Sequence, residues 1–168
     1  MPDRTEDNLR DAFDAECEAI QRYTMYAERA EEEGFPQLAK LFRAVAAAEN
    51  VHARNHFTVI GGMGTQQDNV LAAKLGEERE YTGMYSIFID DAREEQNERA
   101  VRTFIWAQAV EAIHTGFFDK ALEALKTGKS LPETTYHVCG ICGNTVTGEA
   151  PDKCIVCGAG KESFNEIE

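Results

Sequence analysis

Apolar residues recur every three or four positions along most of the chain, a period that predicts amphipathic helices. Over residues 6–33 the stripe runs Leu9, Phe13, Glu16, Ile20, Tyr23 and Ala27, and Gly34-Phe35-Pro36 ends it. A second helix, 37–60, places Leu38, Leu41, Phe42, Val45, Glu49, His52 and Val59 on one side. It stops at Gly61-Gly62-Met63-Gly64 because consecutive glycines disfavour helix. Residues 70–93 carry Leu71, Glu77, Glu80, Met84 and Phe88 near one face, and residues 98–126 step through Val101, Phe104, Gln108, Glu111, His114, Phe118, Leu122 and Leu125. Each of the four would be about 36–44 Å long. They predict an all-α four-helix bundle.

The period is lost after Lys126. Thr127-Gly128-Lys129-Ser130-Leu131-Pro132-Glu133-Thr134-Thr135 has no repeat and contains Gly and Pro, which marks a linker. The expected division is a helical domain over 1–128, a linker over 129–135 and a small domain over 136–168. At about 33 residues the last is too short to bury a self-sufficient core, so it needs a staple such as a metal.

Charge narrows the partners. The 168 residues hold 17 Lys and Arg against 30 Asp and Glu, a formal charge of −13 that repels phosphate backbones and anionic lipid. Neither nucleic acid nor a membrane is expected as a partner. No apolar run approaches the roughly 18 residues of a spanning helix. The start, Met1-Pro2-Asp3-Arg4-Thr5-Glu6-Asp7, has no apolar core of a signal peptide. A soluble, cytoplasmic protein is expected.

In a reducing compartment clustered cysteines point to a metal rather than to disulfides. Cys17 stands alone and reads as a small packing residue. Cys139-x-x-Cys142-Gly143 and Cys154-x-x-Cys157-Gly158 are two knuckles with 11 residues between them. Glycine after the second cysteine accepts the left-handed turn that aims backbone N–H groups at the sulfurs. Four thiolates in this pattern make a tetrahedral site, which iron and zinc both accept.

The helical stripes hold the less ordinary chemistry. Glu16, Glu49, Glu77 and Glu111 interrupt faces otherwise built from Phe, Leu, Val and Ala, and an unpaired buried carboxylate is costly. Two are followed by histidine at i+3, in Glu49-Asn50-Val51-His52 and Glu111-Ala112-Ile113-His114, which sets both side chains on one helix face. Glu16 precedes Glu49 by 33 residues and Glu77 precedes Glu111 by 34, with Gly34-Phe35-Pro36 and Gln96-Asn97 near the midpoints. Each hairpin therefore brings one Glu level with one E-x-x-H. Two hairpins supply the ligand set of a di-iron or di-manganese carboxylate bundle, and such oxygen-rich coordination suits Fe or Mn. Taken singly, each glutamate also reads as a solvated helix residue and each histidine as structural.

The two hairpins are not equivalent. Glu80, three residues after Glu77, adds a ligand where the first hairpin has Ala19. One metal then has two alternative ligand sets. Tyr23 and Tyr85 are placed either to hydrogen-bond ligand carboxylates or to pack in the core. His56 lacks a Glu at i−3 and reads as a surface residue.

This ordered set resembles the rubrerythrins over almost the whole chain. The resemblance rests on Ala12-Phe13-Asp14-Ala15-Glu16 with Arg22-Tyr23, Glu49-x-x-His52, Gly76-Glu77-x-x-Glu80 with Met84-Tyr85, Glu111-x-x-His114 and the double C-x-x-C-G end. It implies a ferritin-like four-helix bundle followed by a rubredoxin-like domain, with two irons in the first and one in the second. Zinc is the alternative occupant of the Cys139, Cys142, Cys154 and Cys157 site. By resemblance Glu49 and Glu111 bridge the two metals, Glu16 and Glu77 are terminal ligands, and His114 binds one iron. The other iron is held by Glu80 when oxidised and moves toward His52 when reduced, so Glu80, His52, Tyr23 and Tyr85 are the catalytic candidates. The implied activity is reduction of hydrogen peroxide to water, with electrons from a rubredoxin or an NAD(P)H-dependent flavoprotein relayed through the thiolate-bound iron. Ferroxidase chemistry on the same bundle is the alternative, and a zinc-ribbon binding module a third.

One length sits badly with a simple bundle. In the family's bundle the second and third helices run parallel, so the link 61–69 must return along it. With Glu49 and Glu77 level, the return is about 26 Å with a sideways step of about 10 Å. Nine residues reach about 30 Å only at full extension. Either the bundle is up-down-up-down or the hairpins exchange between two chains. The resemblance implies exchange, and with it a homodimer whose sites take Glu16, Glu49 and His52 from one chain and Glu77, Glu80, Glu111 and His114 from the other.

Overall fold

Each helical repeat forms a helix in the computed structural model, which describes residues 4–168. The expected start of the helical domain at residue 1 lies outside the described residues. In chain order the elements are α1 (Arg4–Glu32), α2 (Pro36–Ile60), α3 (Gln66–Arg79), a π-helical turn (Glu80–Met84), α4 (Tyr85–Glu94) and α5 (Glu98–Lys126). Strands β1 (Tyr136–Cys139), β2 (Thr145–Thr147) and β3 (Phe164–Ile167) come next, with a 3-10 turn at Lys161–Ser163. No described helix is long and apolar enough to cross a membrane. The chain forms two compact units, Met1–Gly64 and Thr65–Glu168.

The first unit is a hairpin of α1 and α2. Gly34 takes a φ of +81° that favours glycine, Phe35 N–H closes the turn on Ala30 O at 2.8 Å, and Pro36 opens α2 where its missing N–H costs nothing. All the buried residues of both helices are alanines: Ala19, Ala27 and Ala30 on α1 with Ala39, Ala46 and Ala53 on α2. Small side chains let helices approach closely, and the α2 alanines recur at seven residues, two turns of helix. Phe13 stacks on Phe57 at 5.1 Å beside this seam, and Tyr26 meets Phe42 edge-on at 5.5 Å. The expected α2 stripe is corrected here. Leu38, Leu41 and Val59 are exposed in the chain, because the seam belongs to the alanines and not to the large apolar residues.

The second unit starts earlier than its hydrophobic period. Thr65 and Asp68 form a reciprocal capping box that opens α3 at Gln66, four residues before the expected start at 70. The polar first turn, Gln66-Gln67-Asp68-Asn69, carries no apolar signal. The link from α2 is therefore residues 61–65. At the π turn the Tyr85 N–H bonds Glu80 O, five residues back. The Tyr81 carbonyl, which that N–H would reach in a regular α-helix, accepts from Gln108 Nε2 on α5 at 3.0 Å instead. An extra residue in the turn rotates α4 about its axis, so Ile89 is buried at 4% while Phe88, expected on the inner face, is 39% exposed. Leu71 is likewise exposed. Asn97 caps α5 by accepting from Ala100 N–H at 3.1 Å.

After α5 regular structure resumes at Tyr136. The three strands form an antiparallel sheet in the order β2-β1-β3, with Val138 opposite Thr145 on one side and Asn165 on the other.

Gln96, between α4 and α5, is the one non-glycine residue with positive φ, at 58°, among the described residues. Left-handed backbone costs a residue with a Cβ about 1–2 kcal/mol, and glycine's greater freedom in the unfolded chain offsets about half of that. Gln96→Gly should raise the thermal midpoint by about 2 °C, read by circular dichroism. A fall would mean that the Gln96 side chain contributes more than its backbone strain costs.

Candidate functional site

Each unit gathers one carboxylate–histidine triad. In the first, α1 presents Glu16 while α2 presents Glu49 and His52 one turn apart, and a ligand atom from each lies within 4.8 Å of the others. His52 Nδ1 is 2.7 Å from Glu49 Oε2 and 3.8 Å from Glu16 Oε1. In the second, Glu77 of α3 joins Glu111 and His114 of α5 in the same way. His114 Nδ1 is 2.8 Å from Glu111 Oε2 and 3.8 Å from Glu77 Oε2. The same three residue types meet through the same kinds of atom at nearly the same distances. The level placement expected from the 33- and 34-residue separations is therefore what each hairpin builds.

The charges of a triad are unbalanced without a cation. Burial lifts the Glu77 carboxyl above its ordinary range, and the neighbouring Glu111 adds to the rise, while His114 pulls against it. The Tyr85 phenol is also raised, by burial and then by the charges of Glu80, Glu111 and Glu77. It stays protonated and can donate. A divalent metal among these oxygens and the imidazole nitrogen relieves the repulsion, and the oxygen-rich donor set fits iron or manganese. A cavity of about 720 Å³ in the second unit, walled by Phe117, Phe118, Ala121 and Leu131, opens onto Glu77 and His114.

Other candidates stand apart from the triads. Glu80 opens the π turn and is not among the three grouped residues of its unit. Its charge is nonetheless felt at Tyr85. Tyr23 is half-buried on α1, 6.2 Å from the Phe42 ring. His56 is half-buried rather than at the surface. The Cys17 thiol is raised by burial and by Asp14 and Glu16, which keeps it in the unreactive form and agrees with a packing role.

The four C-terminal cysteines converge. Cys139 and Cys157 sulfurs lie 3.7 Å apart, and Cys142 and Cys154 sulfurs 3.6 Å apart. A tetrahedron with metal–sulfur bonds of about 2.3 Å has edges of about 3.8 Å, so the donors fit a four-thiolate metal site. Gly143 and Gly158 take φ of +80° and +79° after each knuckle. Burial opposes ionisation of Cys154, yet the backbone N–H groups of Cys157 and Val156 help bring its thiol down to about 6. Burial instead raises Cys142 and Cys157.

Sequence reading misses the π turn, Gln108 as its partner, and two residues beside the knuckle. The amide of Asn144, a fully buried side chain, donates from Nδ2 to Cys154 Sγ at 3.6 Å, and Thr145 meets His114 at 3.0 Å. Thr82-Gly83, weak helix formers just after Glu80, are a usable signal for the turn. Thr145 offers none, since its partner is 31 residues away.

Because the Glu77 pKa is raised on folding, its contribution to stability is full below the unfolded-state value and is lost as pH rises through the folded one. Glu77→Gln should therefore raise the thermal midpoint of metal-free protein at neutral and mildly alkaline pH, with the gain fading toward acid. The same variant should lose most of the stabilisation that added ferrous or manganous ion gives the parent. Melting curves across pH, with and without metal, check both. A variant no more stable than the parent in alkali, and still fully stabilised by metal, contradicts the reading.

The family model described as Rubrerythrin matches residues 7–122, and that described as Rubrerythrin, rubredoxin-like domain matches residues 137–165. The chain is 33% identical to Rubrerythrin-2 of Clostridium acetobutylicum over 95% of each chain. It is 32% identical to Nigerythrin of Nitratidesulfovibrio vulgaris over 95% of this chain and 85% of that one. A solved structure of nigerythrin in a partially reduced state superposes with a TM-score of 0.58 at 30% identity, covering 99% of this chain and 88% of that one. The cofactors of such a protein are a di-iron site and a rubredoxin-like iron site held by four cysteines, and the carboxylate, histidine and cysteine groups that they need are all present. The chain belongs to the rubrerythrin family.

Proposed function

We propose that the protein is a cytoplasmic peroxide reductase that converts hydrogen peroxide to water. The observation that carries this reading is the pair of matched Glu/Glu-x-x-His triads in one chain with a four-cysteine site. Iron bound there supplies the two electrons that, with two protons, turn one hydrogen peroxide into two waters. A storage role would leave the four-cysteine site without work. The electrons would come from a rubredoxin or an NAD(P)H-linked flavoprotein, and Cys139, Cys142, Cys154 and Cys157 would hold the iron that supplies the one-electron relay.

The roles are those the family resemblance implies. Glu49 and Glu111, each beside its own histidine, would serve both metals, and Glu16 and Glu77 would each serve one. His114 holds one metal. Glu80 and His52 are the exchangeable ligands of the other, in keeping with the place of Glu80 outside its triad and with the 53% exposure of the His52 side chain. Tyr85, kept protonated by burial and by the surrounding carboxylates, donates a hydrogen bond to ligand oxygens. Tyr23 takes the matching place on α1. Phe117, Phe118, Ala121 and Leu131 give the cavity beside Glu77 and His114 a mostly apolar wall.

Two chains assemble each site in this reading. Eleven residues separate Glu49 from the end of α2 and eleven separate the start of α3 from Glu77. A parallel pair of helices with these residues level would need a return of about 33 Å. Ile60 to Gln66 spans about 20 Å at full extension. Exchange of hairpins removes the conflict. It also covers the large apolar side chains left exposed in the chain, such as Met25, Leu41 and Val59 of the first unit with Leu75 and Ile87 of the second. The occupant of each face is then the other unit of a second copy.

Glu49→Ala and Glu111→Ala should each abolish peroxide turnover while leaving the visible spectrum of the thiolate-bound iron intact. Near-normal turnover in both would sink the assignment. Unfolding the two variants together and refolding them should restore activity approaching one intact site per heterodimer, because exchange puts both defects in one site and none in the other. Heterodimers without activity would rule exchange out.

A further inference from the structure

The two E-x-x-H histidines are not held alike. His52 makes its described contacts through Nδ1, to Glu49 and Glu16. His114 repeats both and adds a contact on the far side of the ring, where Nε2 lies 3.0 Å from Thr145 Oγ1. Thr145 opens β2 three residues after Cys142, and its hydroxyl lies 3.2 Å from the Gly143 carbonyl. The knuckle comes against α5 at this point, since a Cβ built on Gly143 would meet Val110 at 3.9 Å.

The order of these groups sets the direction of the hydrogen bonds. A carbonyl only accepts, so it takes the Thr145 hydroxyl hydrogen and leaves an Oγ1 lone pair facing Nε2. That lone pair favours a proton on Nε2. Without metal, Nδ1 lies 2.8 Å from Glu111 Oε2, and an ionised carboxylate there accepts an Nδ1 hydrogen; a metal that takes that place claims the Nδ1 lone pair and leaves the proton on Nε2, facing Thr145. The other tautomer would place a proton where a metal must bind.

We propose that Thr145 is a positioning residue that holds His114 in the Nε2–H tautomer, aims Nδ1 at the carboxylate metal site and ties the imidazole by two hydrogen bonds to the Cys142-Gly143 knuckle. The four-cysteine module thereby orients a ligand of the di-iron site directly. His52 has no such partner among the described residues. Partners of this kind on a ligating histidine are worth about 10–100-fold in metal affinity or activity.

This inference rests on the proposal that His114 is a metal ligand, and the test separates the two. Full-length parent, Thr145→Val and Thr145→Ser would be loaded with zinc as a redox-silent probe, with nitrogen-15 NMR of the imidazoles reporting tautomers and competition titration reporting affinity. The parent and Thr145→Ser should show His114 protonated at Nε2 and metallated at Nδ1. Thr145→Val should bind the carboxylate-site metal about tenfold more weakly, with the four-cysteine site still filled. In iron-loaded protein, bleaching and recovery of the thiolate–iron band should show slower internal electron transfer in Thr145→Val, with an unchanged reduction potential at the four-cysteine site. A Thr145→Val protein with the parent's affinity would overturn the inference. An Nδ1–H tautomer in the metal-loaded parent would overturn it whatever the variants do. A parent in which zinc leaves the His114 signals unchanged would overturn the ligand proposal beneath it.

Discussion

Carboxylates set side by side in a half-apolar hairpin repel one another, and a chain keeps them there only if a cation repays the cost. Burial first, and then the neighbouring Glu111, raises the carboxyl of Glu77. A single imidazole per triad, itself neutral when it binds metal, does not cancel it. The metal-free second hairpin thus carries an electrostatic cost three residues before its backbone turns π-helical. That is the arrangement expected where metal binding and folding are linked.

Holding the oxygens close requires a seam that brings two helices together without bulky side chains between them. The alanines at 19, 27 and 30 of α1 and at 39, 46 and 53 of α2 provide it in the first unit. Large apolar residues are displaced to the flanks as a result, where Leu41 and Val59 lie exposed in the chain. A hairpin built to hold ligands is therefore incomplete as a hydrophobic core, and the short link 61–65 restricts what can complete it. The same choice of small residues thus bears on the site and on assembly.

Much of this is legible in the sequence because it is local. Ligand spacing within E-x-x-H, the helix ends at Gly34 and Gly61, and the two knuckles depend on residues a few positions apart. So does the span of α5, which begins and ends where its period does. The misreadings have a common physical origin. A fixed period places Phe88 on the inner face, and one added residue in the π turn rotates Ile89 there instead. Hydrophobicity weighed above size assigns the seam to Leu38 and Leu41, whereas close helix approach selects for alanine. The early start of α3 rests on the Thr65–Asp68 box, which hydrophobic periodicity does not register. Thr145 and Gln108 act across 31 and 27 residues of sequence, and no short-range rule connects them to their partners.

The near-congruence of the two triads makes their surroundings the source of any difference between the metals. One histidine is half-buried and fastened at both nitrogens; the other is 53% exposed and held at one. On the fastened side a hydrogen-bonded segment leads back to the four-cysteine knuckle. The first hairpin has no counterpart of Glu80, which begins the π turn. Of the two histidines, His52 is thus the less restrained and His114 the more restrained. The asymmetry comes from what each hairpin packs against, one side chain beyond the ligands themselves.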